Sequence, residues 1–130
     1  MTIAISTEGE AQRLPLTLYI SGPMQGIKHF NYPAFTDAAA ELRALGFRVV
    51  SPHELDVDAG VDPDEEFTAD MRRAALARDM EAVCRVDGVA VLDGWHHSTG
   101  ARAEVALANA IPIRIQTIHE WVDEARKATA

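Results

Sequence analysis

The stretch Gly94-Trp95-His96-His97-Ser98-Thr99-Gly100-Ala101-Arg102-Ala103-Glu104 holds the residues best suited to chemistry. Ser98, Thr99 and Gly100 stand where an apolar run gives way to a helical one. Hydroxyls and free N–H groups at a helix start can hold an anion, helped by about half a positive charge from the helix dipole. Glu104 lies about one turn into that helix. Helical side chains lean toward the N-terminus, so its carboxylate reaches the same space. The helix field should keep it ionised, the form a nucleophile needs. A plainer role fits the same residues: Ser98 or Thr99 caps the helix, and a glutamate is favourable in its first turns.

A second loop, Ser21-Gly22-Pro23-Met24-Gln25-Gly26, follows a short β-type run. Gly22 and Gly26 would let backbone N–H groups approach a ligand. The loop is neither a dinucleotide fingerprint nor a Walker loop, and an ordinary strand-to-helix turn has the same composition. His96 and His97 are adjacent, which rarely points two side chains at one ion, and no Cys or His follows at ligand spacing; no metal is expected. Cys84 falls in an apolar helical stretch and reads as a buried, inert thiol. Asp79 reads by default as part of a solvated helix face. The acidic run 54–66 lacks the ligand order of an EF-hand and reads as a solvated loop.

Alternating elements must position these loops. Strands are expected at 16–20, 47–50, 88–92 and 111–115, and helices at about 33–45, 66–85 and 100–110. Thr117 should cap a last helix running to about 127. Gly46 can end the first helix. The order β-α-β-α-β-α-β-α predicts one parallel sheet of four to five strands with helices on both faces, a flavodoxin/Rossmann-like α/β fold. Ligands of such sheets bind beyond the carboxyl ends of the strands. Those ends are Ile20-Ser21-Gly22, Val50-Ser51-Pro52 and Leu92-Asp93-Gly94. Asp93 therefore joins the candidate binding residues. Residues 1–14 are polar and read as a flexible arm, and 15–130 as one domain.

The chain has 130 residues and a net charge of −8. That charge argues against a partner held by many phosphates, such as duplex DNA or RNA. A single phosphate needs no basic patch. With one cysteine no intramolecular disulfide can form, so a reducing, cytoplasmic location is expected. No apolar run approaches the roughly 20 residues of a membrane span, and the start does not read as a signal peptide.

Tyr19-Ile20-Ser21-Gly22-Pro23-Met24, then Asp79, then Ser98-x-Gly100-x-x-x-Glu104 with Ala106 and Ala108, together resemble the nucleoside 2-deoxyribosyltransferase-like superfamily. That group includes deoxyribosyltransferases and 2'-deoxynucleoside 5'-monophosphate N-hydrolases, and the likeness is to a poorly characterised bacterial and phage branch. It covers roughly residues 16 to 115. The resemblance implies a flavodoxin-like fold and usually a homodimer whose partner helps close the site; a homodimer or higher homo-oligomer is expected, and the chemistry of two carboxyls needs no cofactor. It implies that Glu104 is the nucleophile attacking the anomeric carbon, that Asp79 assists protonation of the leaving base, and that Tyr19 lies beneath the sugar.

Transferases of free nucleosides in that group generally carry Asp six residues before the nucleophile, where this chain has Ser98. A carboxylate would repel a phosphate, whereas a hydroxyl at a helix start can donate to it. The expected substrate is therefore a nucleoside 5'-monophosphate, and the expected reaction hydrolysis of its N-glycosidic bond. Transfer to a second base, or silent nucleotide sensing on the same fold, are the alternatives. A receiver domain is disfavoured: Asp93 could accept a phosphoryl group, but no acidic pair follows the first strand.

Overall fold

The computed structural model describes residues 15–129. Four strands, β1 (Thr17–Ser21), β2 (Arg48–Val50), β3 (Gly88–Val91) and β4 (Arg114–Thr117), form one all-parallel sheet in the order β2-β1-β3-β4. Five α-helices accompany it: α1 (Tyr32–Ala44), α2 (Pro52–Asp58), α3 (Ala69–Val83), α4 (Thr99–Ala110) and α5 (Ile118–Thr129). This is the flavodoxin-like strand order, and its switch point lies between β1 and β3, where neighbouring connections leave in opposite directions. Among the described residues no helix is long and apolar enough to cross a membrane. The arm expected at 1–14 lies outside the described residues.

Strand alternation divides the core. Leu18 and Ile20 face one side, where they pack with Phe35, Leu42 and Trp121 of α1 and α5. Tyr19 faces the other side and packs with Val83 of α3 and Val105 and Ala108 of α4. Both faces of β1 are thus covered, and its central residues are fully buried.

Local chemistry sets the boundaries. Gly46, at φ +100°, ends α1 as expected, and the Phe47 N–H turns back to the Leu42 carbonyl at 3.2 Å. Thr68 caps α3 by accepting from the Met71 N–H, so the helix starts at Ala69 and not at 66. Thr117 and Glu120 form a reciprocal capping box at the start of α5, with bonds of 3.0 and 2.9 Å.

Further expectations differ from the structure. The acidic run after β2 contains α2. Pro52 suits a first helical turn, and Arg43 clamps Glu54 with two bonds of 2.7 and 2.8 Å. The last strand begins at Arg114, not 111, because the end of α4 uses the preceding residues: Ile111 donates to Leu107 and Ile113 to Ala108. Cys84 is also not buried; it is exposed at the C-terminal cap of α3.

Candidate active site

Tyr19 and Ser21 are two residues apart on β1 and point to the same face. Both are fully buried. The Tyr19 hydroxyl donates to Glu104 Oε2 at 3.0 Å, and the Ser21 hydroxyl donates to Glu104 Oε1 at 2.6 Å. Glu104 occupies the sheet-facing stripe of α4 with Ala101, Val105 and Ala108, and is only 5% exposed. Asp79 occupies the equivalent stripe of α3 with Ala75 and Val83, and is 6% exposed. Each carboxyl thus takes a position that helical spacing reserves for an apolar side chain.

α3 packs against α4, so the two acids meet. Burial pushes both up: Asp79 to about 8, with the Glu104 charge as the next cause, and Glu104 to about 7. Hydrogen bonds from Ser21, Tyr19 and Asp79 oppose the rise at Glu104, because each favours its charged form. The expectation that the helix field keeps Glu104 ionised is therefore corrected: desolvation is the larger effect. The two acids titrate as a coupled pair, and both Glu104 oxygens accept from hydroxyls, which favours the charged form at Glu104. Tyr19 is raised well above 10 by burial and by Glu104, so it remains a donor.

A cavity of about 260 Å³ opens over the pair. Gly22, Pro23 and Met24 line one side, and Ser98, Thr99 and Gly100 another. Ser98 caps α4: its Oγ accepts from the Ala101 N–H at 3.2 Å, leaving the hydroxyl proton free to donate. Helix geometry leaves the Thr99 and Gly100 N–H groups without helical acceptors. Gly22 has a packing role besides, as a Cβ there would stand 2.7 Å from that of Leu92. Tyr19 and Ser21 lie under Glu104, below the lining residues. Gly26 sits in a turn at φ +82° and does not line the cavity. Asp93 is exposed and does not line it either. His97 reaches the cavity, while His96 stacks on Trp95 with ring centroids 4.0 Å apart. Among the described residues no three His, Cys, Asp or Glu side chains are grouped to hold a metal ion.

Several lining residues escaped the sequence reading. Asp56 of α2 is 3% exposed, accepts from the Tyr32 hydroxyl at 3.2 Å and lies 3.4 Å from Arg78. Its burial was hidden in a run of exposed acids; the one available signal was Ser51-Pro52, which could have placed a helix start just before it. Phe30 and Phe67 meet edge to face at 5.1 Å across the cavity's rim. Arg72 of α3 hydrogen-bonds Gln25 of the first loop. His29, Phe30 and Asn31 all adopt positive φ, of 55°, 52° and 60°. Such strain persists only where surroundings fix it. Here Asn31 donates to the Pro23 carbonyl at 2.9 Å, and His29 pairs with Asp64 at 2.7 Å.

A buried carboxyl pair with offset proton affinities, beside a helix start with free donors, can bind an anionic ligand and do acid–base or nucleophilic work on its neutral part. No curated protein matches the chain. The family described as a domain of unknown function, DUF4406, matches residues 16–117, and the chain belongs to that family.

Proposed function

We propose that this protein is an N-glycosidase that cleaves the base–sugar bond of a nucleoside or deoxynucleoside 5'-monophosphate. The observation that carries the reading is the Glu104 carboxylate, held by Tyr19 and Ser21 and paired at the base of the cavity with Asp79, whose carboxyl burial raises to about 8. DUF4406 falls in the nucleoside 2-deoxyribosyltransferase-like group, in agreement with the motif resemblance.

In this reading the 5'-phosphate sits against Ser98 and the Thr99 and Gly100 N–H groups. Glu104 then faces the anomeric carbon. As positive charge develops on the sugar, a Glu104 oxygen bonds to that carbon while the bond to the base nitrogen breaks. The base leaves with the electron pair and takes the Asp79 proton. Water then attacks the anomeric carbon of the glycosyl ester, gives its proton to the Asp79 carboxylate, and frees Glu104. A pure phosphate-binding module would gain nothing from a carboxylate buried at this depth.

Incubation with a panel of deoxynucleoside and ribonucleoside monophosphates, followed by mass spectrometry, tests the reading. Free base and sugar 5-phosphate are expected. Base exchange with no sugar phosphate would indicate transfer, and no turnover with measurable binding would indicate a sensor.

A further inference from the structure

The cavity is chemically lopsided. Its β3 side carries the donors of the α4 start. Its β2 side carries Asp56, together with aromatic rings from two other segments. Glu104 lies between, over the end of β1. Adjacent strands are about 4.8 Å apart, so the two sides are separated by roughly 10 Å. That matches a nucleotide laid across the sheet end with its sugar over β1, its phosphate toward β3 and its base toward β2.

The β2 side suits a flat ring. Phe30 packs on Phe67 at 5.1 Å and on Tyr32 at 6.2 Å, and Tyr32 reaches Asp56 with its hydroxyl. The left-handed backbone at 29–31 directs Phe30 into this wall. Asp56 is almost fully buried, yet its two contacts are long, 3.2 Å from Tyr32 and 3.4 Å from Arg78. A carboxylate has about four acceptor positions, so acceptor capacity remains facing the cavity. Burial raises the Asp56 carboxyl while the Tyr32 and Arg78 bonds favour its charged form, and in that form it can only accept. A ligand carbonyl placed against it would set two acceptors together, whereas an amino group would make a charge-assisted bond.

We propose that Asp56 and the Phe30–Phe67 wall, backed by Tyr32, form the subsite for the leaving ring, and that it selects bases carrying an exocyclic amino group. Adenine is favoured over hypoxanthine, and cytosine over uracil. Each pair differs chiefly by an amino group in place of a carbonyl. The inference rests on the proposed nucleotide substrate and deepens it.

The test compares dAMP with dIMP and dCMP with dUMP, by kcat/KM and, separately, by calorimetric binding. The amino member of at least one pair is expected to lead by about tenfold or more in both measurements, as for sites built around one polar contact. Asp56→Asn, which offers a donor as well as an acceptor, should bring the ratio to within about threefold of unity. Ratios near one in the wild type, or a preference unchanged in Asp56→Asn, overturn the subsite. The wild-type ratio decides even if the variant folds poorly. Amino-selective binding without cleavage upholds the subsite and overturns the proposed reaction; cleavage without amino selectivity does the reverse.

Discussion

Ser21 and Glu104 are 83 positions apart in sequence, yet the Ser21 hydroxyl lies 2.6 Å from Glu104 Oε1. The bond ties the end of β1 to the second turn of α4. With Tyr19 on the other oxygen, it fixes the carboxylate's rotation, and the two hydroxyls are the largest influences favouring the charged form. Buried hydroxyl–carboxylate bonds of this kind contribute about 1.5–3 kcal/mol each, and here they oppose a desolvation that would otherwise protonate the group.

Ser21→Ala should therefore raise the Glu104 pKa further. Removing a donor leaves burial less opposed. The acidic limb of the kcat/KM profile should move to higher pH, with a smaller change at its plateau. An unmoved limb would mean that Glu104 is not the group whose ionisation limits the reaction.

The proposed reaction needs Glu104 ionised and Asp79 protonated. Their affinities, about 7 and about 8, predict a narrow bell with its maximum between those values. The two limbs belong to the coupled pair. Asp79→Asn should lower the rate most for poorly leaving bases and remove the alkaline limb. A profile flat from pH 5 to 9 in the wild type would argue against the pair as the machinery.

The same shifts bear on stability. Asp79 rises from its ordinary 3.8 to about 8 in the folded protein. A raised acid contributes stability that is fully present below pH 4 and is lost as pH climbs through 8. Asp79→Asn removes that dependence. The variant should be more stable than the wild type at pH 8, by on the order of 1–3 kcal/mol or several degrees in Tm, with the advantage fading toward pH 5. Thermal melts at the two pH values read this directly, and a variant less stable at pH 8 would contradict it.

Much of this arrangement was legible in the chain. Four strands and the helices α1, α3, α4 and α5 follow from apolar runs and turn residues, whereas α2 lies in a run whose acidic composition reads as a loop. The α4 start was visible because Ser98-Thr99-Gly100 is local capping chemistry, and Gly46 marked its helix end for the same reason. Asp79 illustrates the limit. Its position on the Ala75–Val83 stripe gives it a buried setting, but a lone acid in a weakly patterned helix reads as solvated, and only the resemblance raised it. Asp56 was missed because its burial depends on Tyr32 and Arg78, partners 24 and 22 positions away that no local pattern reveals. The proton affinity of Glu104 was misjudged for a related reason. A helix dipole can be read from sequence, whereas desolvation depends on what the tertiary fold places around the group.

Ser98 offers a test of the substrate's anionic end. Its hydroxyl lines the cavity while its oxygen caps α4. Asp at this position can still cap the helix, so the fold should tolerate Ser98→Asp. The new charge would meet a 5'-phosphate at close range. The variant should lose at least about tenfold in kcat/KM for monophosphates, with little loss for the matching free nucleosides. Equal losses for both substrates, or none, would remove the basis for placing the phosphate there.

Glu104 itself carries the sharpest expectation. A nucleophile acts chiefly in the transition state, so its loss lowers kcat while leaving ground-state binding largely intact. Glu104→Gln keeps the shape of the side chain, and its amide oxygen can still accept from one of the two hydroxyls now bonded to it. It also removes one buried acid from the pair, which lightens the desolvation burden at neutral pH. The variant should therefore fold, bind nucleoside monophosphate within a few-fold of wild type, and release base at least about a thousand times more slowly. Glu104→Ala, which opens space beside the sugar, should be as slow. Calorimetry for binding and mass spectrometry for base release measure the two quantities separately. Near wild-type release by either variant would exclude Glu104 as the nucleophile. A loss confined to binding would instead assign it to ligand positioning, with Asp79 left as the acid to examine next.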